Sequence, residues 1–202
     1  MPSQAARSAA SRRELMDAAI ALFAERGYHA TSVADIGAHA GQSRAAVNFH
    51  FGSKEALLLA IVRHVVDEWE EHMLLPELER AAASPEALTD AGFGAHRRLL
   101  AEQPTMFALH HHLMAEAIGP NPAVKDAFAA LDRRLRDRIG ELLGLARAAG
   151  AVRDDVDPGG LAGWLLGALR GIAQQHLVDP SGLDLDAAYG ELKRAVLARV
   201  RP

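Results

Sequence analysis

The sequence predicts an all-α protein, with a three-helix N-terminal domain that contains a helix-turn-helix and a longer helical C-terminal domain. Apolar residues recur every three or four positions through most of the chain, which is the spacing of helices with one buried face. Glycine and proline interrupt this spacing where one helix should end and another begin. Half of the 202 residues are apolar, enough for a sizeable core. We place the boundary after Lys54, which gives domains of residues 1–54 and 55–202.

The first helix is predicted from about Ser11 to Arg26, with Gly27 as its C-terminal stop. Its buried stripe consists of Leu15, Ala18, Ala19, Leu22 and Phe23. Residues 1–10 are expected to form a solvated tail, because chain termini are commonly poorly ordered. The alternative is an arm that enters a DNA minor groove, since basic residues lie in this segment and directly after it.

Residues 31–54 have the pattern of two short helices joined by a tight turn. The first of these helices should begin near Ser32, a good N-cap residue, and Asp35 completes a capping-box-like spacing. Gly41 can adopt the left-handed conformation that ends this helix, and Ser43 can cap the next one. The stretch is therefore interpreted as a helix-turn-helix.

The second helix of the motif is predicted from about Arg44 to His50, with Val47 and the following Phe51 on its inner face. Its outward-facing residues are Arg44, Ala45 and Asn48. In helix-turn-helix proteins the leading turn of this helix enters the major groove, where an arginine can make a bidentate contact to guanine. The motif therefore indicates DNA binding.

The same stretch also carries a family pattern. Its residues are Thr31, Val33, Ile36, Ala40-Gly41, Ser43, His50-Phe51 and Lys54-Glu55-Ala56-Leu57. Over about residues 11–62 the chain resembles the DNA-binding segment of TetR-type transcriptional regulators. The resemblance implies that the bases are read by Arg44, Ala45 and Ala46. It implies contacts to the DNA backbone by Thr31, Ser43, Asn48, His50 and Lys54.

Three residues depart from the family pattern. Gly37 stands where the family usually has alanine, and Gln42 where it usually has an apolar turn residue. Because glycine inside a helix costs roughly 1 kcal/mol relative to alanine, we expect a slightly less stable DNA-binding domain. Asn48 replaces a tyrosine that contacts a DNA phosphate in many members, and asparagine can still donate to a phosphate or read adenine.

The composition limits the classes of function. The formal net charge is −4, so any DNA affinity must come from a local patch rather than from the whole surface. The chain has no cysteine, which excludes disulfides, cysteine nucleophiles and cysteine-bound metals. No apolar run reaches the ~20 residues of a membrane span and no signal peptide is recognisable, so we expect a soluble cytoplasmic protein.

Six further helices are predicted after the helix-turn-helix. Ser53 should cap a long helix that continues to about Met73 and ends before Pro76. The later helices are expected at Pro85 to Gln103, Thr105 to Ile118, Pro122 to Ala149, Pro158 to Val178 and Asp184 to Val200. A run of mixed charge between Asp132 and Arg138 is interpreted as a solvated face.

Three glycines, Gly163, Gly167 and Gly171, are spaced by four and should lie along one helix face. Because glycine is unfavourable inside a helix, this spacing indicates the close approach of another helix. In the TetR family the last two helices form a four-helix dimer interface, so the resemblance implies a homodimer. We assign to the interface Gly163, Gly167, Gly171, Leu192 and Val196. The alternative is packing within one chain.

Methionine, aromatic and histidine residues recur in the C-terminal domain and are typical of a small-molecule pocket, although each taken singly also fits an ordinary core. We assign to the pocket Trp69, His72, Phe93, Met106, Phe107, His110, Met114 and Trp164, with Met73 and His96 as further candidates. His112 and Glu116 have the spacing of a metal-binding pair. No third ligand follows at a matching spacing, so we expect no metal and no cofactor.

These features predict a ligand-responsive transcriptional regulator, a repressor that binds a palindromic operator in double-stranded DNA as a homodimer. A small-molecule effector would release the operator by preferring the conformation with badly spaced recognition helices. Two alternatives remain, a small helical enzyme and a ligand-independent architectural DNA-binding protein. No catalytic motif supports the enzyme, and the length of chain after Lys54 disfavours the architectural protein.

Overall fold

The computed structural model describes residues 3–81, 84–119 and 122–201. Within these ranges it leaves out the side chains of Trp69, Glu70, Met73, Leu75, Glu79, Glu116, Ala123, Val124 and Ala127. The regular elements of the described residues are all helical, which confirms the predicted all-α class. The first four helices are α1 (Gln4–Arg26), α2 (Val33–His39), α3 (Arg44–Phe51) and α4 (Lys54–Trp69). A π-helix (Glu70–Leu74) then leads into α5 (Leu75–Ala81). The remaining helices are α6 (Pro85–Glu102), α7 (Pro104–Ile118), α8 (Pro122–Ala148), α9 (Pro158–Val178) and α10 (Leu185–Val200).

Helix α1 begins seven residues earlier than predicted. Ser3 caps it, because the Ser3 hydroxyl accepts a hydrogen bond of 3.2 Å from the backbone amide of Ala6. The residues that follow are rich in alanine, the best helix former, so the segment continues the helix rather than forming a tail. The prediction of a poorly ordered tail is therefore wrong for residues 4–10, which are helical. The alternative of an arm in a DNA minor groove stays a prediction.

The local signals of the helix-turn-helix are confirmed. Ser32 and Asp35 form a complete capping box at the start of α2. Gly41 has a φ of 66°, the left-handed conformation that glycine adopts without strain. Ser43 caps α3 by accepting from the backbone amide of Ala46. The two short helices therefore form where the capping residues predict them.

The long helix after Ser53 does not end before Pro76 as predicted. It passes through the π-helix, and Pro76 is the second residue of α5. Proline has no backbone N–H and its ring clashes with the carbonyl four residues earlier, so an ordinary α-helix cannot continue through it unchanged. The wider π-helix ends at Leu74, two residues before the proline, and the helical path continues into α5.

The later helices agree with the predicted bounds to within one residue. Prolines begin α6, α8 and α9, at positions where the missing N–H is not needed. Asp157 caps α9 by accepting from the backbone amides of Gly159 (3.2 Å) and Gly160 (3.0 Å). Asp184 caps α10 in the same way through Ala187.

The chain divides into two compact units. The first comprises Met1–Val65 with Leu109–Phe128, and the second comprises Val66–Ala108 with Ala129–Pro202. Side chains from α1, α2, α3 and α4 form the core of the first unit, with Leu15, Ile36, Val47 and Leu57 fully buried. A core cluster of the second unit is built from α8, the loop that follows it, α9 and α10.

No single helix in the described part of the chain is both long and apolar enough to cross a membrane. Helices α3 and α4 together reach the required length and composition, but they are bent by 63° at the break between them.

Candidate nucleic-acid interface and apolar cavity

The exposed face of α3 carries four side chains, Arg44, Ala45, Asn48 and Phe49. Because each helical residue advances the direction of the side chain by about 100°, these four lie within an arc of about 140°. Phe49 is 82% exposed, which is unusual for so large an apolar side chain. The face therefore combines a cation, an amide and an exposed aromatic ring.

The exposed face of α3 differs at two residues from the predicted base-reading set of Arg44, Ala45 and Ala46. Ala46 is half-buried and lies beside the buried Val47, off the exposed face. Phe49 was missed by the sequence analysis, although it follows Ala45 by four residues and must share its face. A helical projection of α3 would have identified it.

His50 and Gln42 belong to a polar network that ties the turn to α1. The Ser11 hydroxyl donates to Oε1 of Gln42 (2.7 Å) and lies 3.0 Å from Nε2 of His50. Nε2 of Gln42 donates to the backbone carbonyl of Ser11 (3.1 Å) and to the carboxylate of Glu14 (2.9 Å). The polar residue in the turn thus has an internal role, and one ring nitrogen of His50 contacts Ser11 rather than facing solvent.

Thr31 and Lys54, both predicted to contact the DNA backbone, are also engaged internally. Thr31 is 1% exposed, and its hydroxyl donates to the carbonyl of Gly27 at 2.9 Å. Nζ of Lys54 donates to the carbonyls of Tyr28 and Thr31, each at 3.0 Å, and lies 4.2 Å from the centre of the Tyr28 ring. These contacts fix the linker between α1 and α2. Ser43 and Asn48, from the same predicted set, are exposed.

Gly37 is explained by a close approach inside the helix-turn-helix. A Cβ atom at this position would lie 2.9 Å from the backbone carbon and oxygen of Ser43. The absence of a side chain therefore lets the start of α3 pack directly on α2. Glycine thus has a packing role at this position, beside its poor helix propensity. The expected lower stability of the domain stays a prediction.

The second unit contains an apolar cavity of about 160 Å³. Side chains from α6, α8, α9 and α10 form most of its wall, and Leu88, Phe93, Ile139, Leu143, Leu165 and Val196 are representative. Among the described residues that line the cavity, the polar side chains are those of Thr89 and His96. The cavity is therefore suited to a hydrophobic guest.

His96 and Tyr189 form a buried polar pair at this cavity. Nδ1 of His96 lies 2.6 Å from the Tyr189 hydroxyl, so the two groups share a hydrogen bond. Burial lowers the pKa of His96 to about 4, because the charged imidazolium is poorly solvated there. Burial also raises the pKa of Tyr189 to about 12. Both side chains are thus uncharged at neutral pH.

Helix α9 presents an exposed stripe that includes Trp164, Gly167 and Val178. Among the described residues, no atom would lie within 4 Å of a Cβ atom at Gly167 or Gly171, so both positions border open space. Gly163 instead faces Cδ of Arg136 within the same chain, at 3.9 Å from its ideal Cβ. The three glycines therefore do not share one environment.

The charged run on α8 is not simply solvated. Asp132 is 17% exposed, and it forms ion pairs with Arg136 on the same helix and with the 18%-exposed Arg170 on α9. The ion pair with Arg136 could be predicted from the sequence, because residues four apart lie side by side on a helix. The pairing with Arg170 was not, because it depends on how α8 packs against α9.

Comparison with known proteins identifies the family. Residues 15–61 match a family model described as bacterial regulatory proteins of the tetR family. Residues 95–181 match a second model, described as the C-terminal domain of SbtR-like transcriptional regulators. The chain belongs to the TetR family of transcriptional regulators. The predictions of this family and of a regulator rather than an enzyme are confirmed.

One curated protein and two solved structures are similar to most of the chain. The A-factor receptor protein of Streptomyces griseus is 27% identical over 198 residues, which cover 96% of this chain and 65% of that protein. SmeT, the repressor of the Stenotrophomonas maltophilia multidrug efflux pump SmeDEF, has a TM-score of 0.72 at 26% identity, with 95% of this chain and 90% of SmeT covered. A transcriptional regulator from Saccharomonospora viridis in complex with choline has a TM-score of 0.76 at 23% identity. The match covers 96% of this chain and 99% of that one, and it shows that the two folds are similar. The chain spans about two thirds or less of the curated relatives it matches.

The predicted pocket residues of this TetR-family chain are dispersed. Phe93 and the further candidate His96 line the cavity, and the ring of Phe107 lies 5.1 Å from that of His96. Met106 is buried outside the cavity wall, whereas His72 and Trp164 are exposed. His110 and Met114 belong to the first unit, where His110 packs on Phe128. The side chains of Trp69 and Met73 lie outside the described part of the chain.

Two further predictions concern the interface and the metal pair. Leu192 and Val196, assigned to the dimer interface, lie in the core cluster of the second unit and are 6% and 3% exposed. Both side chains are therefore packed within the chain.

The predicted metal pair was His112 and Glu116. The ring centre of His112 lies 4.3 Å from that of Tyr28 and 4.7 Å from that of His29. The side chain of Glu116 is not described. Within the described residues, no group of three or more possible metal ligands is found.

Proposed function

We propose that this TetR-family protein is a homodimeric repressor that acts in the cytoplasm and binds a palindromic operator through the exposed face of α3. A small-molecule effector that occupies the cavity of the second unit would release the operator. The observation that carries the proposal is the exposed face of α3, in which the groups that read base edges project together from a capped, well-supported helix.

Each side chain on this face suits a different feature of the major groove. Arg44 has the planar fork that contacts guanine through two hydrogen bonds, and Asn48 can pair with adenine in the same manner or donate to a phosphate. Ala45 and Phe49 are apolar and fit the methyl group of thymine. We therefore replace the half-buried Ala46 with Phe49 in the proposed base-reading set.

The residues that support α3 have a different role in the proposal. Thr31, His50 and Lys54 hold the linker and the turn in place, so they act on DNA affinity through the position of α3. Ser43 and Asn48 remain the proposed contacts to the DNA backbone, since both are exposed. Arg12 supports the end of α3 because its guanidinium lies 4.3 Å from the centre of the Phe51 ring.

A homodimer would present two copies of α3 to two half-sites, as a palindromic operator requires. The exposed stripe of α9 favours such an interface, because Trp164 and Val178 are large apolar groups at the surface and Gly167 borders open space. Small and large residues on one face allow a second copy to approach closely. We therefore propose Trp164, Gly167 and Gly171 as interface residues, and leave Leu192 and Val196 in the core.

Ligand control would follow from a difference in affinity between two conformations. An effector that binds the conformation with badly spaced recognition helices lowers operator affinity by the ratio of its affinities for the two states. The cavity supplies a place for such a molecule, and the choline complex of the fold neighbour is an instance of a ligand-bound regulator. SmeT provides the precedent for repression.

The proposal is tested by comparing two arginine variants on a DNA duplex selected from a random library by the wild-type protein. Arg44→Ala should weaken binding about tenfold or more and relax the preference at one base pair in each half-site. Arg133→Ala is the matched control, because Arg133 is an exposed arginine of α8, and should bind as the wild type does. Equal sequence preference in Arg44→Ala and the wild type would refute the placement of α3 in the groove.

A further inference from the structure

The wall of the cavity defines the chemistry of its guest. Hydrocarbon side chains such as Leu88, Ile139, Leu143 and Leu165 surround the space, and no charged residue of the described chain lines it. A charged guest would lose its hydration there without gaining an ion-pair partner, which is strongly unfavourable. The cavity therefore selects for an uncharged molecule or for an uncharged part of one.

Among the described residues of the wall, one polar side-chain atom remains suited to a hydrogen bond with the guest. The hydroxyl of Thr89 donates within its own helix, to the carbonyls of Pro85 (3.0 Å) and Glu86 (2.8 Å). Nδ1 of His96 is paired with Tyr189, which leaves Nε2 as the other polar atom of the imidazole. His96 is 9% exposed, so a hydrogen bond to it would form away from bulk water.

The hydrogen bond to the Tyr189 hydroxyl determines whether Nε2 of His96 can donate a hydrogen bond to a guest or accept one from it. A neutral imidazole carries one proton, on either Nδ1 or Nε2, and the hydroxyl can act as donor or acceptor toward Nδ1. The pair can therefore present Nε2 either as an acceptor or as a donor. Such a site accepts a hydroxyl as well as a carbonyl group, whereas it offers no counter-charge to a carboxylate or an ammonium group.

The size of the cavity limits the group that it takes. A volume of about 160 Å³ is close to that of an apolar cavity known to hold one benzene ring, about 150 Å³. A longer molecule would place only part of itself in this space.

We propose that the effector presents to this cavity a compact uncharged apolar group of about one six-membered ring, with a single hydrogen-bonding group that meets Nε2 of His96. The inference rests on the proposed function, since it takes the cavity as the effector site. It distinguishes this chain from a receptor for cations such as choline, because no carboxylate in the described wall would face a quaternary ammonium group.

Four probes of nearly equal size test the class of guest on the full-length protein. They are benzyl alcohol, toluene, benzylammonium and benzoate, each measured by isothermal titration and by the shift in Tm. Benzyl alcohol and toluene should bind and raise Tm, and the two charged probes should bind at least about tenfold more weakly. Benzylammonium or benzoate binding as tightly as benzyl alcohol would overturn the proposal.

The hydrogen bond is tested by a cycle of two ligands and two proteins. His96→Leu should weaken the binding of benzyl alcohol roughly five- to tenfold, which is the effect of one hydrogen bond. The binding of toluene should be unchanged. Equal losses for both probes would show that His96 only shapes the wall and would overturn its assigned contact. Tyr189→Phe is a second variant, which removes the hydroxyl and keeps the ring. It should weaken the binding of benzyl alcohol by a smaller factor than His96→Leu does, and it should leave the binding of toluene unchanged.

The place of binding is tested with a pair of glycine variants. Gly92 lines the cavity, and among the described residues a Cβ atom there would meet only the Leu78 side chain, at 4.0 Å. The backbone therefore has room for a side chain, and we expect Gly92→Leu to fill part of the cavity. Gly140→Leu is the matched control, because a Cβ atom at Gly140 has no neighbour within 4 Å among the described residues and Gly140 does not line the cavity. Gly92→Leu should abolish binding of both neutral probes, and Gly140→Leu should retain it.

The outcome separates this inference from the proposed function. Neutral probes that fail to bind, in a protein that still recognises its selected operator, would refute the inferred guest and leave the repressor intact. Loss of sequence-specific DNA binding in the wild-type protein would refute the repressor, whatever the probes do. Neutral probes that bind equally to wild type and Gly92→Leu would place their site elsewhere and overturn the assignment to this cavity.

Discussion

The helix-turn-helix and the cavity region of this protein are built in opposite ways. Around α3, polar side chains bond to one another and to the backbone, as in the network of Ser11, Gln42 and His50, and Gly37 allows direct contact between backbones. Around the cavity, hydrocarbon side chains leave a space of about 160 Å³, and polar groups are few. One region is held by directional bonds and close packing, whereas the other retains unfilled volume.

This difference fits the task that each region has in the proposed function. A DNA-reading helix must keep its side chains in one geometry, because base recognition depends on distances and angles. A receptor for a small molecule must have a state that the ligand stabilises, and unfilled apolar volume supplies the contacts that a ligand can add. The comparison predicts that changes near α3 will alter DNA binding through geometry. Changes near the cavity should act through occupancy and solvation.

The largest effect is expected from Gly167→Leu, which tests whether the second unit also serves as the dimer interface. The new side chain has room within one chain but would obstruct a second copy. Dimers should dissociate, and operator affinity should fall about a thousandfold because the two half-sites are no longer bound together. Light scattering measures the mass, with Gly140→Leu as the control. An unchanged dimer mass would move the interface away from this stripe.

The pH dependence of stability should reveal the buried His96. Its pKa is about 4 in the folded protein and near 6.5 in the unfolded chain, so between these values the unfolded chain binds more protons. The free energy of unfolding should therefore decrease as the pH falls from about 6.5 to 4, by on the order of 3 kcal/mol.

Denaturant unfolding of wild type and His96→Leu at several pH values isolates this contribution, because other titrating groups are common to both proteins. The difference between the two curves should change over this range. Parallel curves would contradict the burial of His96.

Lys54→Ala tests whether the lysine supports the fold or contacts DNA. Loss of two hydrogen bonds to carbonyls and of the contact with Tyr28 should lower the free energy of unfolding by roughly 2 kcal/mol. The dependence of operator affinity on salt should be unchanged, because no phosphate contact is lost. If instead the slope of log affinity against log salt concentration fell by about one while stability was unchanged, Lys54 would be a phosphate contact.

The smallest effect is expected at Phe49, where the aromatic ring should read a thymine methyl. Replacing thymine by uracil in the operator removes that methyl and should weaken wild-type binding about five- to tenfold at one position in each half-site. Phe49→Ala should bind the thymine and uracil operators equally. If Phe49→Ala still preferred thymine, the ring would not lie against the methyl group.

The sequence was sufficient for the fold where local chemistry decides it. Ser32, Asp35, Gly41 and Ser43 are capping and turn residues whose effect depends on a few neighbours, so the helix-turn-helix and its bounds were predictable. The predicted end of the long helix before Pro76 was wrong, because the effect of a proline on a helix depends on the type of turn that precedes it. Ser3 was overlooked as the cap of an alanine-rich first turn.

The functional residues were harder to predict because their roles depend on distant partners. Thr31 and Lys54 match a DNA-contacting pattern, yet their polar atoms are bonded to the α1–α2 linker. The cavity is formed by helices far apart in the sequence. Among the predicted pocket residues whose side chains the structure describes, only Phe93 and His96 line it. Residue type alone could not separate wall from core, since methionine and aromatic side chains fill both.

Selection of DNA from a random duplex library by the full-length protein tests the central claim most directly. The account predicts enrichment of a two-fold symmetric sequence, with half-sites separated by about one helical turn or a multiple of it and two protein chains bound per site. Guanine should occur in each half-site at a position whose preference disappears in Arg44→Ala. Enrichment of no sequence, or of a single unrepeated site that Arg44→Ala reads equally well, would contradict a dimeric repressor that reads its operator through α3.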